Sequence, residues 1–267
     1  MKSNYRYIVK AFMAMAVIAG TTSCDDFLDR EPMSSISPET YYSTAAQLEA
    51  NLNDEYPNVL PSFGQWTYGI FGEDKGTDNQ IEVNANDRYT QDRWKVPHSE
   101  SDNWKFERIY RINFFLSEAL PKFGEDMIGS QNTISGSVAT IKHYIGEMYF
   151  LRAYEYFKKL QLFGDFPIIN QPLADEMEAL REASKRFPRN EVARFIISDL
   201  DKAYAYMSDV DMATTRINKD AAMLVKSRVA LFEATWLQNF KGTHSTWWRR
   251  LAGGISSQQL SVSERKH

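Results

Sequence analysis

The sequence contains only one cysteine and four histidines, and it is poor in glycine and proline for its length of 267 residues. A single cysteine excludes an intramolecular disulfide, and histidines this scattered leave no candidate for a zinc finger. With only 13 glycines and 9 prolines, the chain lacks the frequent turn signals that separate the short strands of an all-β protein. Its apolar run at residues 11–20 covers only about half of a bilayer core as a helix. A transmembrane anchor is therefore not expected there.

No stripe of basic residues runs along the body of the chain. The net charge is −4, and basic residues concentrate in residues 1–10 and 241–267, so the segment between them is strongly acidic. An acidic body repels phosphate backbones, which excludes nucleic-acid binding. The sequence also contains no P-loop, no G-x-S-x-G elbow and no H-E-x-x-H motif, so no cofactor or metal site is predicted.

The N-terminus is typical of an export signal. A basic segment, the apolar residues 11–20 and the small residues 21–23 stand in that order, and the only cysteine, Cys24, follows directly. This order resembles a bacterial lipobox, in which the cysteine is acylated and the signal is removed before it. We therefore expect residues 1–23 to be a lipoprotein signal peptide; the alternative is an ordinary secretory signal with an incidental thiol.

Abundant aromatics and apolar residues at helical spacing predict a mainly α protein. The pattern predicts a helix capped by Thr44 and Gln47 that runs to about Tyr56 and is stopped by Pro57 and Pro61, one from Trp104 to Pro121 and Gly124, and one over residues 138–163. Two more helices are expected with Asn190 and Asn218 as N-caps. Each helix is expected to place its apolar positions on one inward face. For the helix from Trp104 this face is Phe106, Ile109, Tyr110, Asn113, Leu116 and Leu120, and for the helix after Asn218 it is Ala221, Val225, Val229, Phe232 and Trp236. Antiparallel pairs of this size stack as tetratricopeptide-like helix-turn-helix units.

Residues 61–103 show no sustained period and are rich in glycine, asparagine, aspartate and aromatic residues. An irregular stretch of this length inside a compact protein is usually functional or else disordered, and its aromatic content argues against disorder.

Six motifs in order give a specific resemblance to the SusD/RagB family. They are Ser23-Cys24-Asp25-Asp26-Phe27-Leu28-Asp29; Trp104-x5-Tyr110-x2-Asn113-x2-Leu116; Gly146-Glu147-Met148-Tyr149-Phe150-Leu151-Arg152-Ala153-Tyr154; Leu162-Phe163-Gly164-Asp165-Phe166-Pro167; Ile197-Ser198-Asp199-Leu200-x2-Ala203; and Arg216-Ile217-Asn218-Lys219-x-Ala221-Ala222 with Ser227-Arg228-Val229-Ala230-Leu231. They extend from Cys24 to about Phe240, which corresponds to roughly the N-terminal half of a family member.

The resemblance implies a surface-exposed, lipid-anchored glycan-binding protein of the cell outer membrane. Family members have four tetratricopeptide-like helix pairs, sit on a SusC-like TonB-dependent transporter, capture oligosaccharides or polysaccharides for uptake, and are not enzymes. Alternatives from the residues themselves are a helical scaffold that binds only a protein partner, a peptide-importing relative, and, more remotely, a glycosidase.

The irregular stretch supplies the predicted ligand-binding residues. Trp66, Tyr89 and Trp94 are candidates for stacking on sugar rings, while Asp78 and Arg93 are candidates for hydrogen bonds to hydroxyl groups. The alternative is that these aromatic residues only fasten the loop to the helices.

Charged residues within the helical motifs are expected to be structural. Glu147, Arg152, Asp199 and Arg228 lie among large apolar neighbours, where ion pairs or caps between helices are expected. Glu147 and Asp199 as a catalytic acid and base are the alternative.

The resemblance stops near Phe240, and the composition changes there. Residues 241–267 lack an apolar period and are basic. We therefore divide the chain into a signal peptide (1–23), a SusD-like domain (24–240) and an atypical tail (241–267). The tail is interpreted as frameshifted or artificially truncated, or else as a disordered natural end, and function in this short form is then in question.

Overall fold

A computed structural model describes residues 41–61, 103–124, 126–208 and 215–241 of the chain. These residues form six helices: α1 Ala45–Val59, α2 Glu107–Phe123, α3 Val138–Phe163, α4 Met177–Ala183, α5 Arg189–Tyr206 and α6 Lys219–Asn239. Within the same ranges, β structure is limited to two isolated bridges, Thr44 to Ser135 and Phe166 to Phe187. The mainly α prediction is confirmed. The predicted signal peptide, the irregular loop candidates and the tail after residue 241 lie outside the described residues.

Helix α3 is the centre of the scaffold, because α1, α2 and α5 all pack against it. Its bounds agree with the predicted helix, but its burial does not follow a single face: 17 of its 26 residues are buried. A helix covered on all sides needs apolar residues around its whole circumference. Gly146 allows the end of α5 to approach α3 closely, since a Cβ there would lie 2.9 Å from the Met207 backbone nitrogen.

Aromatic rings join the start of α2 to the end of α3. Trp104 contacts Phe163 and Phe166 with ring centroids 4.8 and 4.9 Å apart, in edge-to-face geometry. The chain leaves α3 at Gly164, whose φ of 71° favours glycine. The motif around residues 162–167 is therefore a helix stop followed by an aromatic anchor.

Two prolines that were expected to end helices lie inside them. Pro57 is within α1, which continues to Val59, and Pro121 is within α2, which continues to Phe123. Each proline lies in the last turns of its helix, where its missing N–H removes one helical hydrogen bond, and the other expected stop, Pro61, directly follows the C-cap Leu60 of α1. The residue that ends α2 is Gly124, with φ 105°.

Two of the three predicted caps are confirmed. Thr44 forms the capping box with Gln47, and the Asn218 side chain accepts a hydrogen bond from the Ala221 amide. Asn190 is not the cap of α5, which begins at Arg189. Asp165 takes that role from the end of α3, because its Oδ1 accepts the Arg189 amide at 2.9 Å.

Replacing Thr44 with alanine should lower the free energy of unfolding by about 1 kcal/mol. The substitution removes the acceptor of the Gln47 amide, 3.3 Å away, at the start of α1. Urea denaturation followed by circular dichroism measures the effect. Thr44→Ser keeps the hydroxyl and should retain most of the stability; equal losses in both variants would contradict a role for the cap.

The predicted apolar face of α6 is only partly covered. Val229 is buried and Ala221, Val225, Phe232 and Trp236 are half-buried, while Ala222 and Glu233, which were not predicted, are buried beside them. Within the described part of the chain, α6 packs mainly on α5, so a single narrow stripe is covered. Leu224 and Leu231 remain 72% and 66% exposed.

Candidate functional site

None of the predicted ligand-binding residues falls within the described ranges. Trp66, Asp78, Tyr89, Arg93 and Trp94 belong to residues 62–102, and the lipidation candidate Cys24 belongs to residues 1–40, both outside them. These assignments stay predictions. The structure instead describes the charged motif residues and the cavities beside them.

The first buried network is centred on Arg152 of α3. Its guanidinium donates to both carboxylate oxygens of Asp199 on α5, with Nε to Oδ2 at 2.7 Å and Nη2 to Oδ1 at 2.8 Å. Both side chains are buried. Burial opposes the charged form, yet the hydrogen bonds and charge of Asp199 hold the pKa of Arg152 above its ordinary value. The predicted role of this pair as a link between helices is confirmed.

The same network fixes the chain after α3. Arg152 Nη1 donates to Asn113 Oδ1 at 2.9 Å and to the Asn170 carbonyl at 3.2 Å. Asn113 Nδ2 in turn donates to the Ile169 carbonyl at 2.9 Å. The Tyr156 hydroxyl accepts from the Ile169 amide and donates to its carbonyl, at 2.8 and 3.0 Å. Residues 169–170 are thus held by buried side chains from α2 and α3.

A second network surrounds Glu147, which has no exposed surface. Arg216 donates to both of its oxygens, each at 2.8 Å, and the Tyr56 hydroxyl donates to Oε2 at 2.5 Å. Burial and the Glu147 charge raise the pKa of Tyr56. Arg216 also contacts Glu49 of α1 at 3.2 Å. The network therefore joins α1, α3 and the segment before α6.

His143 completes this second network. Its Nδ1 accepts from the Ser208 amide at 3.1 Å, which places the ring proton on Nε2. Nε2 lies 3.0 Å from the Ile217 carbonyl and 2.9 Å from Glu147 Oε1. The ring ties the end of α5 and the start of α6 to α3.

These networks favour the structural interpretation of the charged motifs over acid–base catalysis. Glu147 and Asp199 belong to different networks, and each is paired with its own arginine. A carboxylate held by a bidentate guanidinium and closed to solvent has no position for a substrate. Arg228 differs from the prediction: it is exposed, and the described residues provide no ion pair to it.

A third buried ion pair was not predicted. Arg189 Nε of α5 donates to Glu233 Oε2 of α6 at 2.9 Å, and its guanidinium lies 3.9 Å from the Trp236 ring centroid. The only sequence signal for this pair is Glu233 itself, one helical turn after the apolar Val229. A single glutamate does not identify a partner that lies 44 residues away in the chain.

Glu55 of α1 is a buried carboxylate with incomplete pairing. It is 2% exposed, its Oε1 lies 3.7 Å from Arg111, and its Oε2 finds no hydrogen-bond partner among the described residues. Burial raises the pKa of Glu55, and Arg111 only partly opposes this effect.

The free energy of unfolding should fall as pH rises above about 4.5, the ordinary pKa of glutamate, through the raised pKa of Glu55. The folded state binds more protons than the unfolded state in this window, so raising the pH favours unfolding. Urea denaturation at a series of pH values should show a weaker decline in Glu55→Gln than in the unsubstituted chain. Glu178→Gln, at an exposed glutamate of α4, is the control; identical profiles for all three chains would contradict this assignment.

Two cavities adjoin residues 169–171. One, of about 200 Å³, lies between α2 and residues 169–180 and includes Tyr110 and Asp175. The other, of about 300 Å³, includes Tyr149, Phe195 and Lys202. Gln171 lines both cavities, so they are neighbours on one surface. A third, charged cavity of about 310 Å³ lies between α2 and α3.

The described ranges contain no cluster of three or more His, Cys, Asp or Glu side chains that could hold a metal ion. Nor does any helix in those ranges have the length and apolarity to cross a membrane.

Comparison with known proteins identifies the family of the chain. The SusD-like_3 family model, described as "Starch-binding associating with outer membrane", matches residues 26–231. Two curated relatives come from Formosa agariphila: SusD-like protein P25, 26% identical over 80% of this chain and 41% of its own length, and SusD-like protein P2, 26% identical over 85% and 43%. The chain thus spans less than half the length of these relatives.

A solved structure shows the same fold. Surface glycan-binding protein A from Bacteroides uniformis is similar with a TM-score of 0.51 and 16% sequence identity, over 80% of this chain and 47% of that protein. The family match covers most of the chain and includes the motifs on α2, α3, α5 and α6. The chain belongs to the SusD-like (SusD/RagB) family.

Proposed function

We propose that the chain is a glycan-binding lipoprotein of the outer-membrane surface that works with a SusC-like TonB-dependent transporter in polysaccharide uptake. The observation that carries this proposal is the family match over residues 26–231, whose description names starch binding and association with the outer membrane. The protein captures its ligand without cleaving it. Because the chain is shorter than its relatives, its own binding activity is the first property to measure.

Affinity electrophoresis tests the binding activity. The full-length chain should be retarded in gels that contain soluble starch, laminarin or another polysaccharide ligand, and thin-layer chromatography should detect no released products. Absence of retardation in every polysaccharide would contradict glycan binding, and product release would contradict a purely binding role.

The loop residues Trp66, Tyr89 and Trp94 are proposed to stack on sugar rings, with Asp78 and Arg93 as hydrogen-bond partners. Removing one stacking ring should weaken binding by roughly fivefold to tenfold. Tyr89→Ala is compared with Tyr204→Ala, an exposed tyrosine of α5. If both variants bind as well as the unsubstituted chain, Tyr89 is not a ligand residue.

Cys24 is proposed to carry the lipid anchor after removal of residues 1–23. Several acyl chains give stable attachment, whereas one gives only reversible binding. Cells expressing the chain should incorporate a fatty-acid analogue into it, and Cys24→Ala should abolish the labelling. Labelling that persists in Cys24→Ala would contradict this assignment, because the chain has no other cysteine.

A scaffold that binds only a protein partner is the second candidate function. It is favoured by the apolar side chains of α6, with Leu224 and Leu231 largely exposed. Such a scaffold would co-purify with a transporter and would not be retarded by any glycan. A peptide-importing relative would instead bind peptides in the same assays.

A further inference from the structure

We infer that the surface around Gln171 is a second saccharide-binding groove, separate from the predicted loop site. The groove consists of the two cavities that Gln171 joins, one with Tyr110 and Asp175 and one with Tyr149, Phe195 and Lys202. Volumes of about 200 and 300 Å³ together reach the range of roughly 300–1,000 Å³ found for small-molecule sites. This inference rests on the proposed glycan-binding function and names a further site for the same class of ligand.

The first cavity offers an aromatic platform beside polar groups. Tyr110 was predicted to face the core with Ile109 and Asn113, but it is 50% exposed. Its ring is stacked on Phe114 with centroids 6.2 Å apart and planes at 22°, so its orientation is fixed. The carboxylate of Asp175 and the amide of Gln171 line the same cavity. An exposed ring beside these groups suits a sugar, which presents an apolar C–H face and a rim of hydroxyls.

The second cavity supplies polar groups beside rings that are already packed. The Arg152 guanidinium lies 5.2 Å from the Tyr149 ring centroid and 5.3 Å from that of Phe195, which fixes both rings. Lys202, 46% exposed in its side chain, lies at the rim. Tyr149 is buried, and Lys202 Nζ lies 5.3 Å from its ring centroid. This cavity therefore contributes the Lys202 ammonium, and the stacking ring of the groove is Tyr110.

The buried Arg152 network holds the groove in one shape. Residues 169–170 receive hydrogen bonds from Asn113, Tyr156 and Arg152, and Gln171 follows directly. Within the described residues the Gln171 side chain forms no hydrogen bond, so its amide is available to a ligand. A binding group placed on a rigid segment loses little entropy when a ligand binds.

The lining favours a neutral saccharide over a polyanion or a peptide. Asp175 and Lys202 carry opposite charges, and Arg152 is already neutralised by Asp199. An extended peptide that binds by strand addition would need an exposed strand, whereas the described residues contain no strand and the carbonyls of residues 169–170 are already occupied.

Isothermal titration calorimetry of the full-length chain with maltoheptaose and laminarihexaose tests the groove. Tyr110→Ala should weaken binding by roughly fivefold to tenfold, and Gln171→Ala by about twofold to tenfold. Tyr110→Phe keeps the ring and should bind as the unsubstituted chain does. Tyr204→Ala removes an exposed tyrosine of similar exposure (44%) and should also have no effect.

The outcomes separate this groove from the proposed function. Saccharide binding that is unaffected by both Tyr110→Ala and Gln171→Ala overturns the groove and leaves the proposed function in place. An unsubstituted chain that binds no saccharide overturns both. The unsubstituted chain is also titrated with a tryptic digest of casein. If it binds these peptides, and Tyr110→Ala or Gln171→Ala loses peptide binding but retains saccharide binding, the ligand of the groove is a peptide and the saccharide assignment is overturned. Melting temperatures are measured for every variant; if Tyr110→Ala does not fold, Gln171→Ala decides the outcome, because this side chain is exposed.

Discussion

Replacing Asp199 with alanine should lower the free energy of unfolding by about 3–5 kcal/mol, because the Arg152 guanidinium would remain buried without its counter-ion. Asp199 has no exposed surface and Arg152 is 3% exposed. The two hydrogen bonds between them, at 2.7 and 2.8 Å, join α3 to α5. Among the described helices, α3 and α5 share the most extensive packing interface, and this ion pair lies within it. The loss is a large share of the roughly 5–15 kcal/mol that stabilises a typical domain.

Asp201→Ala provides the matched control for Asp199→Ala. Asp201 lies on the same helix, pairs with Lys226 and is 55% exposed in its side chain, so its removal should cost at most about 1 kcal/mol. Urea denaturation at constant pH, or thermal unfolding where the variant is too unstable, measures both. Equal losses at the two positions would contradict the importance of burial. Arg152→Met combined with Asp199→Leu should recover part of the stability, because no unpaired charge remains.

Replacing Arg216 with methionine should lower the free energy of unfolding by about 2–4 kcal/mol. The substitution leaves the fully buried Glu147 without its bidentate partner, although His143 and Tyr56 still donate to it. Those two remaining donors are the reason for a smaller expected loss than at Asp199. The Arg216 side chain is 10% exposed and lies between α1 and α3. Its loss should therefore also loosen the packing of α1.

Arg228→Met is the control for Arg216→Met, since Arg228 is exposed on α6 and should change stability by less than about 0.5 kcal/mol. Thermal unfolding followed by circular dichroism compares the two. Hydrogen exchange of the α1 amides adds a local measurement, and faster exchange is expected only in Arg216→Met. Unchanged α1 protection together with unchanged stability would show that Glu147 does not depend on Arg216.

The positions of the helices follow from local sequence. Residues 138–163 were predicted as a helix and form α3 with those bounds, because apolar spacing and the following Gly164 are both local signals. The Thr44 and Asn218 caps were readable for the same reason, since a cap contacts an amide only three residues away. The family resemblance was also carried by the sequence alone, and the comparison confirms it.

Partners far apart in the chain were decided by tertiary packing. The sequence indicated that Glu147 would be paired, but not that Arg216, 69 residues later, would be its partner. It also could not show that Asp165, in the segment after α3, accepts the first amide of α5, or that Tyr110 faces outward into a cavity. Helical spacing determines which residues share a face, whereas the neighbouring elements determine whether that face is buried. Only the packing of α1, α2 and α5 around α3 brought Asp199 to Arg152 and Arg216 to Glu147 and left Gln171 between two cavities. The physical reason is that burying an unpaired charge costs several kcal/mol, so these partners are defined by which helices meet.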